Sequence, residues 1–586
     1  MSPDGSVVAF VARDAAGARL VVVPAAGGAE SVLAAHPPPA GRGGVVAWLG
    51  PGRVAYVTDA GEVAVAGGGP ARVVGAGIEG GAAGLAASPD GSWLALVADT
   101  RAVALVPAGG GAPAVVSDAA DFALDPAWSP DGARLAWQEW DVPAMPWDAA
   151  RIVVAPARAG GGAGRVVVAG GDHGVQEPRW APDGSALAFL SDATGWCNLW
   201  VAGPDGAAPR PLVDEPCEHG GPAWGAGAAS FAWSPDSRRI AFTRNEAGFG
   251  RLCVVDLASG EVGELGRGVH SSLTWRGATL ACVRSGARTP TAVVAVDPAG
   301  GGRRVVATGP HPAVARAAEW MPEPDVVSWA APDGATVHGR LWRPPGPGGG
   351  PPPPLLVWGH GGPTGQDRVG FDPALAFFLS RGWAVLHPDH RGSTGWGRAW
   401  ARALRGGWGV VDVDDTVAGA EADVRRGWAD PARLVAVGAS AGGMLALLLL
   451  ARRPDLWAAG AVSYPVADLE GLAAATHRFE AHYTWGLVGP LPEAAEEHRA
   501  RSPLAVADRI AAPLLVLHGA DDVVVPAAGS RRLAAALRAR GVPVEHHEYE
   551  GEGHGWRSPA TVADALARAD SFLSRHVPAR GADMGR

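Results

Sequence analysis

The chain contains no lysine, and all 49 of its cationic side chains are arginine. Together with 85 glycines, 51 prolines and abundant alanine, this reflects the coding bias of a GC-rich genome and is no sign of arginine chemistry. Cysteine is scarce as well. Its four copies, Cys197, Cys217, Cys253 and Cys282, show no CxxC spacing and read as buried free thiols of a reducing compartment. Positive charge is in deficit, and a net charge of -10 argues against a broad nucleic-acid surface, because phosphate binding needs clustered positive charge. No apolar run reaches the length of a membrane span, and the start Met1-Ser-Pro-Asp-Gly5 lacks the charged and apolar regions of a secretory leader. The expectation is a soluble, cytoplasmic protein with neither membrane nor nucleic acid as partner. What is present fits a globular chain: 47% hydrophobic and 18% charged residues. At 586 residues it exceeds what one core supports, so at least two domains are expected.

The first half repeats. Ser2-Pro-Asp-Gly5, Ser88-Pro-Asp-Gly91, Ser129-Pro-Asp-Gly132, Ala181-Pro-Asp-Gly184 and Ser234-Pro-Asp-Ser237 each precede a short apolar run, and Trp128, Trp180 and Trp233 stand just before three of them. Proline fixes one dihedral and glycine accepts positive φ, so each copy marks a hairpin corner. The last four copies are spaced 41, 52 and 53 residues apart, a period that indicates a β-propeller. Degenerate units around Trp48-Leu-Gly-Pro-Gly52 and Trp275-Arg-Gly277 raise the count to seven blades over residues 1–315. The chain opens directly on a turn, so the strand expected ahead of it is missing and has to come from upstream or from elsewhere.

Beyond Met321 the rhythm changes. A hairpin (Val326–Trp329, Thr336–Trp342) encloses the turn Ala331-Pro-Asp-Gly334, which mimics an eighth repeat. The Pro/Gly stretch Arg343–Pro354 reads as a surface loop. Apolar runs at Leu355–Trp358, Ala384–His387, Leu434–Val437, Gly460–Ser463 and Leu514–His518 then alternate with helical segments such as Asp414–Arg426 and Ala527–Arg540. Such alternation predicts a mostly parallel sheet with helices on both faces, an α/β-hydrolase domain over residues 320–586.

Val437-Gly438-Ala439-Ser440-Ala441-Gly442-Gly443 carries the chemistry. A Gly-x-Ser-x-Gly run between a strand and a helix is the context of a nucleophile elbow, whose strained turn needs small residues two places either side of the serine. A serine hydroxyl needs a base, and the base needs an orienting acid; on this fold they follow in the order Ser, acid, His. The strand at Leu514 ends in His518-Gly-Ala-Asp-Asp522, placing a carboxylate at the sheet's carboxyl edge, though the sequence barely separates Asp521 from Asp522. His554 follows in Gly551-Glu-Gly-His-Gly555, whereas His546 and His547 lie in an apparent strand and read as packing or solvated residues. Oxyanion donors are expected from the backbone N–H of Ala441, just after the serine, and of Gly362 in His360-Gly-Gly-Pro363.

These motifs, with Asp389-His-Arg-Gly-Ser-Thr-Gly-Trp-Gly397 and the propeller repeats, make the chain resemble the prolyl oligopeptidase family over nearly its whole length. It is most similar to the branch of acylaminoacyl peptidases and related bacterial dipeptidyl peptidases. The resemblance implies Ser440, Asp522 and His554 as a catalytic triad, and a propeller that caps the active site and admits only short peptides. Two departures stand out. Val524 occupies the place where several members carry a carbonyl-binding arginine, and Ala441 replaces a frequent tyrosine. Both bear on substrate preference and leave the hydrolytic groups in place. Arg391, Asp412, Asp414 and Asp415 match family positions and read as structural loop and helix-cap residues.

The expected function is that of a serine peptidase acting on short peptides near their N-terminus, of the acylaminoacyl- or dipeptidyl-peptidase type. A carboxylesterase using the same triad is the alternative, and a binding protein with an idle hydrolase domain is a third class. Glu177 and Glu218 are weak candidates for holding a free amino terminus and read rather as surface or packing residues. No cofactor or metal is expected, and a homo-oligomer stays open.

Overall fold

A computed structural model describes residues 1–14, 17–35, 43–346 and 350–577. They form two compact units. One comprises Met1–His311 with the short segments Arg368–Gly370 and Gly395–Arg398, and the other takes the remaining residues from Pro312 onward.

The first unit is a seven-bladed β-propeller. Its sheets are antiparallel meanders taken in chain order: three strands within residues 7–35, then four each within 46–75, 82–117, 122–170, 175–211, 231–267 and 269–308. The repeated turn has a fixed internal chemistry. At Ser88 the hydroxyl donates to Asp90 Oδ1 at 2.5 Å and accepts the amide of Trp93 at 3.0 Å, locking the corner between two strands. The same bond recurs from Ser129 to Asp131 and from Ser234 to Asp236. Hydrogen bonds from the Ser88 and Ser92 hydroxyls hold the Asp90 carboxyl down at about 2. Tryptophan precedes the turn because it ties neighbouring blades: the indoles of Trp128 and Trp233 donate to the carbonyls of Ala86 and Arg179, each at 3.0 Å. Gly91 (φ +67°) cannot be replaced cheaply, since a Cβ there would lie 1.9 Å from the carbonyl oxygen of Leu49. Val8 and Val23 of the first blade share a core with Ala281 and Ala295 of the last, which closes the ring.

The second unit is built on one eight-stranded sheet. Its strands are β1 (Asp325–Ala330), β2 (Thr336–Trp342), β3 (Leu355–Gly359), β4 (Ala384–Asp389), β5 (Leu434–Ala439), β6 (Ala459–Ser463), β7 (Leu514–Gly519) and β8 (Val544–Tyr549). They lie in the order 1-2-4-3-5-6-7-8. β1, β2 and β4 pair antiparallel, so Ala331–Gly334 closes a hairpin of this sheet and is no eighth blade. From β4 through β8 all pairings are parallel. Strands β3 to β7 are buried along nearly their whole length, as helices on both faces require. The principal helices are α1 (Pro373–Leu379), α2 (Val411–Arg425), α3 (Ala441–Arg452), α4 (Ala528–Ala539) and α5 (Pro559–His576). Helix α2 begins three residues before its expected start, because the Asp412 carboxylate accepts the Gly409 amide at 2.7 Å and steadies the entry. Residues 347–349 of the expected Pro/Gly loop lie outside the described residues. An α/β-hydrolase domain thus follows the propeller.

Candidate active site

Register places the candidate groups on one edge. Gly359 pairs with Gly438, Ala439 with Ser463, and Gly519 with Tyr549, so β3, β5, β6, β7 and β8 end together. Ser440 follows β5 immediately, Asp522 comes three residues after β7, and His554 five after β8. Parallel strands deliver their carboxyl ends to the same side, which is how residues 82 and 32 apart in sequence meet.

The turn at Ser440 is strained, with φ 57° and ψ -124° outside the helical region. Its amide donates to the Ser463 carbonyl at 3.1 Å and its carbonyl accepts from Met444, so strand and helix both hold it. The flanking glycines have a steric reason. A Cβ on Gly438 would sit 2.1 Å from the Gly442 carbonyl oxygen, and one on Gly442 would sit 2.1 Å from that of Gly359. Helix α3 thereby runs directly against β3 and β5 and places its N-terminus under the serine.

His554 Nε2 lies 3.0 Å from Ser440 Oγ, and its Nδ1 lies 2.8 Å from Asp522 Oδ2. Asp522 Oδ1 accepts the amides of Val524 (2.9 Å) and Val525 (2.8 Å). Burial pushes the Asp522 carboxyl up, but bonds from His518 and His554, the His554 charge and the Val525 amide outweigh it, holding it well below the usual range. As an acceptor, the carboxylate fixes the proton on His554 Nδ1 and leaves Nε2 free to take one from Ser440. Asp521, by contrast, is exposed, and its backbone amide donates to Glu552 O at 2.9 Å. His546 and His547 lie in β8.

The loop after β3 approaches the serine closely: a Cβ built on Gly361 would be 4.0 Å from Ser440 Cβ. The loop is pinned at both ends. His360 Nε2 meets Ser393 Oγ at 2.7 Å, and the Tyr483 hydroxyl accepts the Thr364 amide (3.0 Å) while donating to Thr364 Oγ1 (2.7 Å). Among the described residues, the amides of Gly362 and Ala441 donate to no protein acceptor and are free for a ligand. A buried Arg340–Asp389 pair, bridged at 2.5 and 2.7 Å, ties β2 to β4. Arg391 is held by Asp415 and Asp333, which gives it the structural place the sequence assigned.

Two residues at this edge were not singled out as functional from the sequence. Tyr464, one residue past β6, adopts φ 37° and packs its ring against His554 (4.7 Å) and Trp556 (5.0 Å). His518 is fully buried, bonding Ser530 Oγ and Val525 O at 2.8 Å each, and backs Asp522 from 3.5 Å. Its place at the end of an apolar strand was the available clue. Within the first unit, Glu177 accepts the amide and hydroxyl of Ser230 at 2.7 and 2.8 Å. Glu218 accepts the amides of Gly395 and Gly397 at 2.8 and 3.3 Å. Neither is a surface residue, because these polar hydrogens satisfy each buried carboxylate.

The sheet order and the serine–histidine–carboxylate chain at its edge define the α/β-hydrolase class. Residues 369–579 match the prolyl oligopeptidase family and residues 95–335 match the TolB beta propeller domain. A puromycin-hydrolyzing peptidase of Mycobacterium tuberculosis is 30% identical, with a TM-score of 0.89 over 98% of this chain and 94% of that one. Dipeptidyl peptidase family member 6 of Caenorhabditis elegans is 31% identical over 43% of this chain and 34% of its own length. An acylamino-acid-releasing enzyme of Arabidopsis thaliana is 30% identical over 38% of this chain and 30% of its own. The chain spans about a third of the length of these curated relatives. It belongs to the prolyl oligopeptidase family. Among the described residues no helix is long and apolar enough to cross a membrane.

Proposed function

We propose that the protein is a serine peptidase that cleaves short peptides and aminoacyl amides near their N-terminus, with residues 1–315 as propeller and 320–586 as catalytic domain. The continuous path from Ser440 Oγ through His554 to Asp522, at 3.0 and 2.8 Å, carries this reading. Ser440 donates its proton to His554 Nε2 as Oγ attacks the carbonyl carbon. The buried Asp522 carboxylate stabilises the imidazolium without itself taking a proton. The oxyanion accepts hydrogen bonds from the amides of Ala441 and Gly362, an arrangement that typically lowers the barrier by about 3 kcal/mol per donor. His554 then protonates the leaving amine, and water, deprotonated by the same imidazole, releases the acyl group. In this proposal the protein works in the cytoplasm, a reducing compartment that suits its four free cysteines.

The relatives include enzymes named for dipeptidyl and acylamino-acid release and one named for puromycin hydrolysis, so the N-terminal preference is the quantity to measure. Initial rates on free aminoacyl and dipeptidyl anilides, their N-acetyl forms, puromycin and a short-chain ester give it directly, with Ser440→Ala as the blank. Anilide or puromycin turnover lost in Ser440→Ala supports the peptidase, and the free-to-acetylated ratio sets its type. Ester turnover alone replaces it with the carboxylesterase, and no Ser440-dependent turnover on any substrate overturns both.

A further inference from the structure

On the sheet face carrying α1 and α5, directly behind the His554 loop, lies a cavity of about 200 Å³. Gly438 and Ala439, which lead into Ser440, line it together with Leu515 and Leu517 of β7. Small side chains, Ala565 and Ala569 of α5 among them, create the space, while Trp358, Tyr464 and Trp556 form its aromatic wall. The pocket is partly open to solvent and lined almost wholly by apolar atoms, a lining that suits a small aromatic guest. The wall also offers directional groups. Among the described residues, the indole N–H groups of Trp358 and Trp556 and the hydroxyl of Tyr464 donate to no protein acceptor.

The wall is joined to the candidate base. Trp556 stands edge-on to Tyr464 at 5.0 Å, and Tyr464 edge-on to His554 at 4.7 Å, so the three rings form one contiguous edge-to-face stack. Tyr464 is held at a positive φ of 37°, a conformation that costs about 1–3 kcal/mol in a non-glycine residue and marks a restrained position. We infer that this cavity is a regulatory site for a small aromatic molecule bearing one hydrogen-bond acceptor, whose occupancy acts on His554 through Trp556 and Tyr464. The inference rests on His554 as the catalytic base. Bracing the stack restrains the imidazole, which has to pass its proton from Ser440 to the leaving group, so a bound guest lowers kcat and leaves KM unchanged.

Quinoline, a two-ring aromatic with an acceptor nitrogen, is the probe. In wild-type enzyme, saturating quinoline is expected to lower kcat at least threefold with KM within twofold. Naphthalene, which lacks the acceptor, is expected to act at least tenfold more weakly. Ala569→Leu fills the void, and each rate is compared with that of the same variant without ligand; the response is expected to vanish. A rise in KM alone means quinoline enters the substrate site and overturns the proposal, as does an undiminished response in Ala569→Leu. Xenon-pressurised and quinoline-soaked crystals of the wild type read the site without turnover or a variant. Density between α5 and β7 supports it even for a protein with no measurable activity, and an empty cavity in both overturns it. Density with kcat unchanged overturns the coupling to His554.

Discussion

Replacing Asp522 by asparagine tests the orientation of the candidate base with almost no change of shape. The side chain has two jobs: Oδ1 accepts the amides of Val524 and Val525, and Oδ2 accepts His554 Nδ1. Asparagine keeps one acceptor and gains two donor hydrogens. If its oxygen stays with the two amides, its NH2 faces Nδ1, which has to become an acceptor, and the imidazole proton moves to Nε2. There it points at Ser440, and the base cannot take the serine proton. The opposite orientation sets the NH2 against two inward-facing amides, at about 1–3 kcal/mol for each donor left unpaired, or roughly 2–6 kcal/mol in all. The inactive tautomer therefore dominates, and the carboxylate charge that would stabilise the imidazolium is gone as well. Together these predict a fall in kcat of about 10⁴-fold, or about 5.5 kcal/mol, with KM nearly constant. Steady-state rates on an aminoacyl anilide measure it, with thermal melting to establish that the variant is folded. Asp521→Asn is the control and is expected to stay within twofold of wild type. A folded Asp522→Asn enzyme that loses less than tenfold, or an equal loss in Asp521→Asn, would refute the reasoning.

Three further expectations follow from the structure. Tyr483→Phe removes the hydroxyl that pins Thr364, so kcat is expected to fall about tenfold, about 1.4 kcal/mol, with KM little changed; a KM effect alone would place Tyr483 in substrate binding instead. Gly438→Ala drives a methyl to 2.1 Å from the Gly442 carbonyl oxygen, and a loss of about 3 kcal/mol or more is expected; an unshifted melting temperature contradicts the close approach. Burial of Asp125 in the propeller raises its carboxyl from 3.8 to about 6, so folding takes up a proton and wild-type stability falls as pH rises through that window. Asp125→Asn removes this loss, and its melting temperature is expected to gain on wild type between pH 4 and pH 8, by up to about 3 kcal/mol; a gap independent of pH contradicts it.

Both folds were legible in the sequence because their signals are local. A Ser-Pro-Asp-Gly corner closes on its own hydroxyl and carboxylate within five residues, so the propeller could be counted from the chain alone. The same holds for Gly438-Ala-Ser-Ala-Gly442, whose small residues answer to contacts that strand, turn and helix make over a few positions. Ser440, His554 and the choice of sheet edge came from that local grammar, whereas Asp522 was separated from Asp521 only by family resemblance. The contrast between them is tertiary: one carboxylate is buried under His518 and two amides, the other exposed.

What the chain by itself determined is the set of elements and the identity of the polar groups at their ends. Which side chains then meet was decided by the sheet order 1-2-4-3-5-6-7-8, since register brings together residues that no sequence window contains. Tyr464 against His554, Tyr483 against Thr364 119 residues away, and the buried Arg340–Asp389 pair are all of this kind. So is the pocket beside the stack, whose lining comes from distant elements. Hydrogen bonds within a turn are encoded by neighbours, but packing and burial are properties of the assembled sheet.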